Sequence, residues 1–127
     1  MSTIAEALKP FLAHELPQGT TVADTPGPGV EVGLPLGDSG WRWFKRRDTR
    51  RYRFEFRPEV LTPLQESAEG IAQDVSGLEH VAYLEHVAAV MGHAVEQHGA
   101  EGGKRDLSLS IGMTDKGDLD VRLVSVM

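Results

Sequence analysis

The amino-acid sequence predicts a single α+β domain over residues 1–127, with helices packed on a largely antiparallel sheet of about six strands. Segments with a helical period of apolar residues lie near the N-terminus and in the middle of the chain. Apolar residues alternate instead over roughly 41–57 and 106–127, and each of these segments predicts a β-hairpin. A length of 127 residues with 40% apolar content is typical of one domain with one core.

The N-terminal part begins with a T-x-x-E capping box at Thr3, which predicts a helix that ends before Pro17. The Gly- and Pro-rich segment that follows contains two apolar runs, at 20–23 and 30–36. These runs predict two short strands joined by the turn DTPGPG. Because Pro35 has no backbone N–H, it either ends the second strand or places that strand at an edge of the sheet.

The segment WRWFKRRDTRRYRFEFR, residues 41–57, combines basic and aromatic residues. A hairpin that sets Arg46 opposite Arg51 separates these two classes of side chain, whereas a shift of one residue would mix them. Since the segment lacks the glycine of a tight turn, we expect a four-residue loop at 47–50. One face, which we expect to lie in the core, gathers Trp41, Trp43, Tyr52, Phe54 and Phe56.

Two consecutive helices are predicted in the middle of the chain. Thr62 is the expected N-cap of the first, about 62–76, because Pro63 would then occupy the first helical position. A second capping box at Ser76 begins a helix of about 77–98. Apolar residues cover so much of this second helix that we expect it to be central to the fold or to lie in a subunit interface.

The last segment, roughly 106–127, alternates on both sides of the turn TDKGD, in which Gly117 supplies a position of positive φ. The chain ends in the apolar sequence VRLVSVM. We therefore expect the C-terminal strand to be buried.

Composition and charge exclude several classes of protein. The absence of cysteine excludes disulfides, thiolate metal sites and a cysteine nucleophile. With no apolar run of about 18 residues and no signal-peptide pattern at the start, we expect a cytoplasmic protein without a membrane partner. The net charge of −6 disfavours a general nucleic-acid binder, although residues 41–57 carry eight positive and two negative charges.

The histidines do not have the spacing of a metal site. His80, His86, His93 and His98 follow one another at intervals of six, seven and five residues, whereas two ligands on one helix normally lie three or four apart. His86 and His93 share a helix face, but they are separated by two turns and could bind one ion only across a symmetric dimer.

No motif indicates an enzyme. The tetrapeptide GDSG at 37–40 contains a serine without an identifiable base, and we expect a plain turn there. The aspartates within 115–120 lack the order of a calcium-binding loop. Tyr83 or the neighbouring histidines would need a pocket beside the second helix to act as acid or base. We therefore predict no catalytic residue, no metal and no cofactor.

The other face of the predicted hairpin, with its turn, is the candidate binding surface, consisting of Arg42, Phe44, Arg46, Arg47, Arg50, Arg51, Arg53 and Arg57. We expect a non-catalytic interaction or regulatory domain, and a homodimer. Its arginines would meet carboxylates of the chain's own helices, of a second subunit or of another, acidic protein. Residues 62–101 support this hypothesis, because they contain seven acidic residues and no Lys or Arg.

The alternative is a nucleic-acid-binding module that uses the same arginines for phosphate contacts and Phe44 for stacking on a base. The observation that bears most on this choice is whether the arginine face is bare or covered by the acidic helices.

Overall fold

The structure is a computed structural model that describes residues 4–35, 49–72, 78–100 and 106–126. Within these ranges it contains three helices and one sheet of five strands, which confirms the α+β class. None of the described helices is long and apolar enough to cross a membrane. In chain order the elements are α1 (Ile4–Glu15), β1 (Thr21–Asp24), β2 (Gly29–Pro35), β3 (Thr49–Phe56), α2 (Pro58–Ala72), α3 (Leu78–Ala100), β4 (Asp106–Met113) and β5 (Leu119–Val126).

The sheet is mixed, with its strands in the order β1-β2-β3-β4-β5. β1, β2 and β3 form an antiparallel meander, and β4 and β5 form the hairpin predicted at the C-terminus. β3 and β4 are parallel, because α2 and α3 carry the chain back to the end of the sheet at which β3 began. The expectation of about six largely antiparallel strands is thus confirmed only in part, since the described chain has five strands and one parallel pair.

The predicted pairing of β3 with a strand at 41–46 is wrong. β3 pairs with β2 on one edge and with β4 on the other, so Arg51 lies opposite Gly33 of β2 and no edge is left for a further strand. Residues 36–48 lie outside the described ranges, and the predicted loop at 47–50 runs into the start of β3. Alternation indicates the face that each side chain takes, but it carries no information on which strand is the neighbour.

The core lies on one face of the sheet. On each strand every second residue points into the core, and the register sets these core residues opposite one another. Val32 lies opposite Tyr52, and Tyr52 lies opposite Leu107. The prediction that the aromatic residues of β3 belong to the core is confirmed, because Tyr52, Phe54 and Phe56 are buried. The two tryptophans lie outside the described residues.

The three helices cover this core face. α3 contacts both α1 and α2, which is the central position expected of it. The fully or almost fully buried helical side chains include Leu8, Leu12, Val60, Leu64, Leu84 and Met91.

α2 begins at Pro58, before the N-cap predicted at Thr62. A proline at the first helical position loses no hydrogen bond, and the carbonyl of Arg57 accepts the first bonds of the helix. Pro63 instead lies inside the helix, where it removes one backbone hydrogen bond. The earlier start places Val60 in the first turn of α2, where its side chain is completely buried.

The C-terminal hairpin has the expected turn, in which Gly117 has a φ of +87°. The Thr114 N–H donates to the Asp118 carbonyl at 2.7 Å and closes that turn. The expectation that the last strand is buried is wrong, since β5 is an edge strand of the described sheet and its Leu123 and Val124 are 53% and 54% exposed. α3 covers only the beginning of β5, where Leu119 is half-buried.

Candidate interaction surface

The face of the sheet opposite the helices carries described arginines of the predicted site. Burial alternates along β3, with Tyr52 and Phe54 buried and with Arg51 and Glu55 exposed. The register pairs extend this second face across the neighbouring strands. We name it the open face, and its side chains are Glu31, Arg51, Arg53, Glu55, Arg57, Asp106, Ser108, Ser110, Asp120 and Arg122.

The described carboxylates of α2 and α3 do not reach Arg51 and Arg53. Glu59, in the first turn of α2, does come to the open face beside Arg57, since a Cβ atom on Gly112 would stand 3.1 Å from Glu59 Oε1 and 3.0 Å from Arg57 Nη1. α2 and α3 pack on the aromatic side of β3, so the sheet separates their carboxylates from Arg51 and Arg53. A sheet and the layer packed on it are about 10 Å apart. From the sequence we expected the carboxylates to come from the chain's own helices, from a second subunit or from another protein. Among the described residues, the helices supply no carboxylate to Arg51 or Arg53. Within the described ranges, no helix covers this face.

Arg53 has a carboxylate neighbour but an incomplete set of hydrogen bonds. Glu31 lies directly opposite it on β2, and Arg53 Nη2 is 3.5 Å from Glu31 Oε2. Because the two side chains are 38% and 30% exposed, solvent screens the pair and its contribution is at most about 1 kcal/mol. Arg53 Nε is buried and has no hydrogen-bond partner among the described residues. A buried donor without a partner costs about 1–3 kcal/mol.

Arg57 lies over β4, where small residues make room for it. Its Nε donates a hydrogen bond to Ser110 Oγ at 3.1 Å. A Cβ atom on Gly112 would stand only 2.6 Å from Arg57 Cδ, so the absence of a side chain at this position is what admits the arginine. Ser108 and Ser110 are buried. The small residues of β4 therefore leave room for the apolar part of the long Arg57 side chain to pack against this strand.

The remaining predicted binding residues fall into two groups. Arg51 is exposed and forms no ion pair or hydrogen bond with a described residue. Arg50 is half-buried and lies two residues before Tyr52, so both side chains point to the helix side of β3. Arg50 is therefore not on the same face as Arg51. The structure brings Arg51, Arg53 and Arg57 to one surface. Outside the described ranges lie Arg42, Phe44, Arg46 and Arg47.

Carboxylates alternate with arginines on the open face. It holds four arginines and four carboxylates, so its net charge is zero, and Asp106 of β4 lies opposite Arg51. On β5, Arg122 Nε donates to Asp120 Oδ2 at 2.6 Å. No aromatic residue of β3 is exposed beside the arginines, because all three point into the core.

Sequence reasoning missed Glu31, Asp106, Asp120 and Arg122 as members of this surface. All four occupy polar positions in strands that alternate, so the sequence indicated that they face away from the core. Their nearness to the predicted arginines depends on the order of the strands, which alternation does not contain.

The described residues provide no metal centre. No group of three or more His, Cys, Asp or Glu side chains in these ranges could hold a metal ion. His86 and His93 are exposed on α3, at a groove between α3 and β5 that Val90, Leu119 and Val121 also line. The GDSG segment at 37–40 lies outside the described ranges.

Tyr83 has a structural contact that accounts for its position. Its hydroxyl donates to the carbonyl of Val60 at 3.3 Å and so joins α3 to α2. Burial raises the pKa of Tyr83 above its ordinary value of 10.0. The phenol therefore stays protonated at neutral pH, as a hydrogen-bond donor and not as a base.

The fold and the open face together define a small α+β domain with a layer of helices on one sheet face and, on the other, arginines that no described helix covers. No protein-family model, curated protein or solved structure matches this chain.

Proposed function

We propose that this protein is a non-catalytic interaction domain that binds an acidic segment of another protein through its open face. The observation that carries the proposal is the state of two neighbouring arginines. Arg53 has a buried Nε without a hydrogen-bond partner in the described chain, and Arg51 is exposed without an ion pair there. Guanidinium groups form their strongest hydrogen bonds with carboxylates, which accept two parallel N–H donors at once.

The charge pattern favours protein carboxylates over the phosphates of a nucleic acid. A polyanionic strand that crossed this face would meet four carboxylates as well as the arginines, and like charges repel. These carboxylates are Glu31, Glu55, Asp106 and Asp120. A protein partner can place acidic residues opposite the arginines and basic residues opposite these carboxylates. Nucleic acid is thus the second candidate, in which the same arginines contact phosphate.

A second copy of the chain is a less suitable partner for this face. The acidic stretch 62–101 spans α2 and α3, which lie on the layer opposite the open face. Contact between the open face of one copy and the helices of the next is head-to-tail, and it builds rings or filaments instead of a closed pair. A separate acidic protein satisfies the arginines without open-ended growth, so the homodimer expected from the sequence does not follow from this surface.

The test is a titration of a labelled peptide in which single glutamates are separated by neutral residues, with the full chain, followed by fluorescence anisotropy at about 50 mM salt. We expect binding that weakens as salt is added, because exposed charges are screened beyond about 8 Å at physiological ionic strength. Arg51→Glu should weaken binding at least about tenfold, or 1.4 kcal/mol, since it replaces attraction by repulsion. The change breaks no hydrogen bond or ion pair with a described residue, and Arg51 is exposed, so the fold should be retained. A modest loss of stability is expected because two carboxylates then stand opposite each other at positions 51 and 106.

Lys9→Glu is the matched control. Lys9 is exposed on α1 in the helical layer, and its replacement changes the net charge by the same amount. We expect this variant to bind like the wild type. Equal losses in both variants, or no peptide binding at about 50 mM salt, would contradict the proposal. A labelled single-stranded oligonucleotide is titrated in parallel, and its binding without peptide binding would favour the second candidate.

A further inference from the structure

The two edges of the described sheet differ in how well they are protected. β1 has only four residues and is followed by Pro26 and Pro28, features that limit pairing with another strand. β5 has eight residues without proline or lysine, and its outer edge pairs with no described strand. Leu123 and Val124 on this strand are more than half exposed. An unpaired strand edge of this length is a template for another strand.

We infer that β5 pairs with β5 of a second copy in an antiparallel arrangement, which joins the two sheets into one. The symmetry of such a pair is a twofold axis perpendicular to the sheet, so both helical layers lie on the same side. Residues directly opposite each other have side chains on the same face. The axis therefore passes through one residue of β5. An axis between two residues would set a residue that points to the core opposite a residue that points to the open face, which the pairing does not allow.

Charge selects the residue on the axis. An axis through Asp120 would set two aspartates opposite each other, and one through Arg122 would set two arginines opposite each other; both arrangements are destabilising. An axis through Val121 instead sets Asp120 opposite the partner's Arg122, and by symmetry this favourable pair occurs twice. Within one chain Arg122 Nε is already 2.6 Å from Asp120 Oδ2, so pairing yields a cluster of four alternating charges.

The same register also pairs apolar residues on the helix side. Leu119 comes to lie opposite the partner's Leu123, which covers a side chain that is 53% exposed in the single chain. A bulge between Ser108 and Leu109 interrupts the β4–β5 register at Val124, so the regular stretch available for pairing is 119–123.

The groove between α3 and β5 lies along this edge. Val90 of α3 and Val121 of β5 are half-buried in it, with His86 and His93 at its rim. Twofold pairing of β5 brings the two grooves together on the same side of the joined sheet. Apolar residues of each copy then cover those of the other, which accounts for the broad apolar surface of α3.

Sedimentation velocity of the full chain, from micromolar to submillimolar concentration, tests the inference. We expect a monomer–dimer equilibrium. Asp120→Arg and Arg122→Asp each place like charges opposite one another at two positions, and each should raise the dimer dissociation constant at least about tenfold. An equimolar mixture of the two variants should recover the dimer, because one chain then carries two positive residues on β5 and the other two negative ones.

Asp115→Arg and Lys116→Asp are matched controls, since they make the same charge changes in the exposed turn outside the paired stretch. We expect both to dimerise like the wild type. A wild type that stays monomeric, a dimer that the reversals on β5 leave intact, or a mixture that fails to recover it would each overturn the inference. For the case in which a β5 variant does not fold, amide hydrogen exchange of the wild type gives an independent answer. Residues 119–123 should exchange more slowly as concentration rises, and exchange that is independent of concentration would refute the pairing.

Discussion

Gly29 at the start of β2 provides a sharp test of how β2 and β3 approach each other. A Cβ atom placed on Gly29 would stand 2.0 Å from the carbonyl oxygen of Phe54 and 3.0 Å from its carbonyl carbon. An ordinary carbon–oxygen contact is about 3.3–3.6 Å, so Gly29→Ala requires the two strands to separate by about 1 Å or more. The obstacle is backbone, which cannot rotate away as a side chain would.

The expected cost follows from these contacts. Overpacking a well-packed site costs about 1–3 kcal/mol, and a backbone obstacle places this substitution at the upper end. The hydrogen bond from the Phe56 N–H to the Pro28 carbonyl, 2.9 Å long, lies beside the clash, and its loss adds about 1 kcal/mol. We therefore expect Gly29→Ala to lower the free energy of unfolding by about 3–4 kcal/mol. With a urea m value of about 1–3 kcal/mol/M, the unfolding midpoint measured by circular dichroism should fall by at least about 1 M.

Gly27→Ala, in the same turn, is the control. A Cβ atom on Gly27 meets nothing within 4 Å, and among described glycines only Gly19 and Gly117 have positive φ. Alanine should therefore be neutral there or stabilise by about 0.4–1 kcal/mol, by restricting the unfolded chain. A cost below about 1 kcal/mol at Gly29, or equal effects at both glycines, would refute the close approach of β2 to β3. It would also remove the reason why Glu31 lies opposite Arg53.

Two further predictions concern Tyr83 and Glu31. Burial raises the pKa of Tyr83 above 10.0, so the stability that its phenol contributes is present below pH about 10 and is lost as the pH rises through the raised value. Tyr83→Phe should lower the unfolding free energy by about 1 kcal/mol at neutral pH, because the hydrogen bond to Val60 is lost. It should also reduce the loss of stability above pH about 10, because phenylalanine has no proton to lose. Urea unfolding at neutral pH and above pH about 10 measures both effects, and an unchanged loss at high pH would contradict the prediction. Glu31→Gln should change the unfolding free energy by less than about 1 kcal/mol, because the ion pair with Arg53 is partly exposed. It should strengthen binding of the peptide with separated glutamates, because it removes the carboxylate that competes for Arg53; weaker binding would contradict this prediction.

Local pattern was sufficient for much of the fold. Alternation along β3 correctly assigned Tyr52, Phe54 and Phe56 to the core and Arg51 to the opposite face, because successive side chains of any strand point to opposite sides. Helical periodicity located α1 and α3, and the glycine at the final turn located the β4–β5 hairpin. Each of these inferences depends only on residues close together in the sequence.

The errors arose where distant parts of the chain compete. The hairpin predicted within 41–57 satisfied its own pattern, but β3 takes β2 and β4 as neighbours. Thr62 and Pro63 have the form of a helix start, but burial of Val60 draws the start of α2 back to Pro58. An N-cap contributes about 1 kcal/mol to the stability of a helix, whereas full burial of an apolar side chain in the tertiary structure contributes about 1.5–3 kcal/mol.

The open face shows the same division. The sequence by itself determined that Arg51 and Arg53 point away from the aromatic residues, since the period of a strand is two residues. Only the tertiary structure decided that the acidic helices pack on the aromatic side and leave these arginines without them, because an amphipathic helix must bury its apolar face and the core side of the sheet is where such burial is available. The strand order that sets Glu31 beside Arg53 and leaves β5 at an edge was also decided there, since it depends on contacts between residues far apart in the chain.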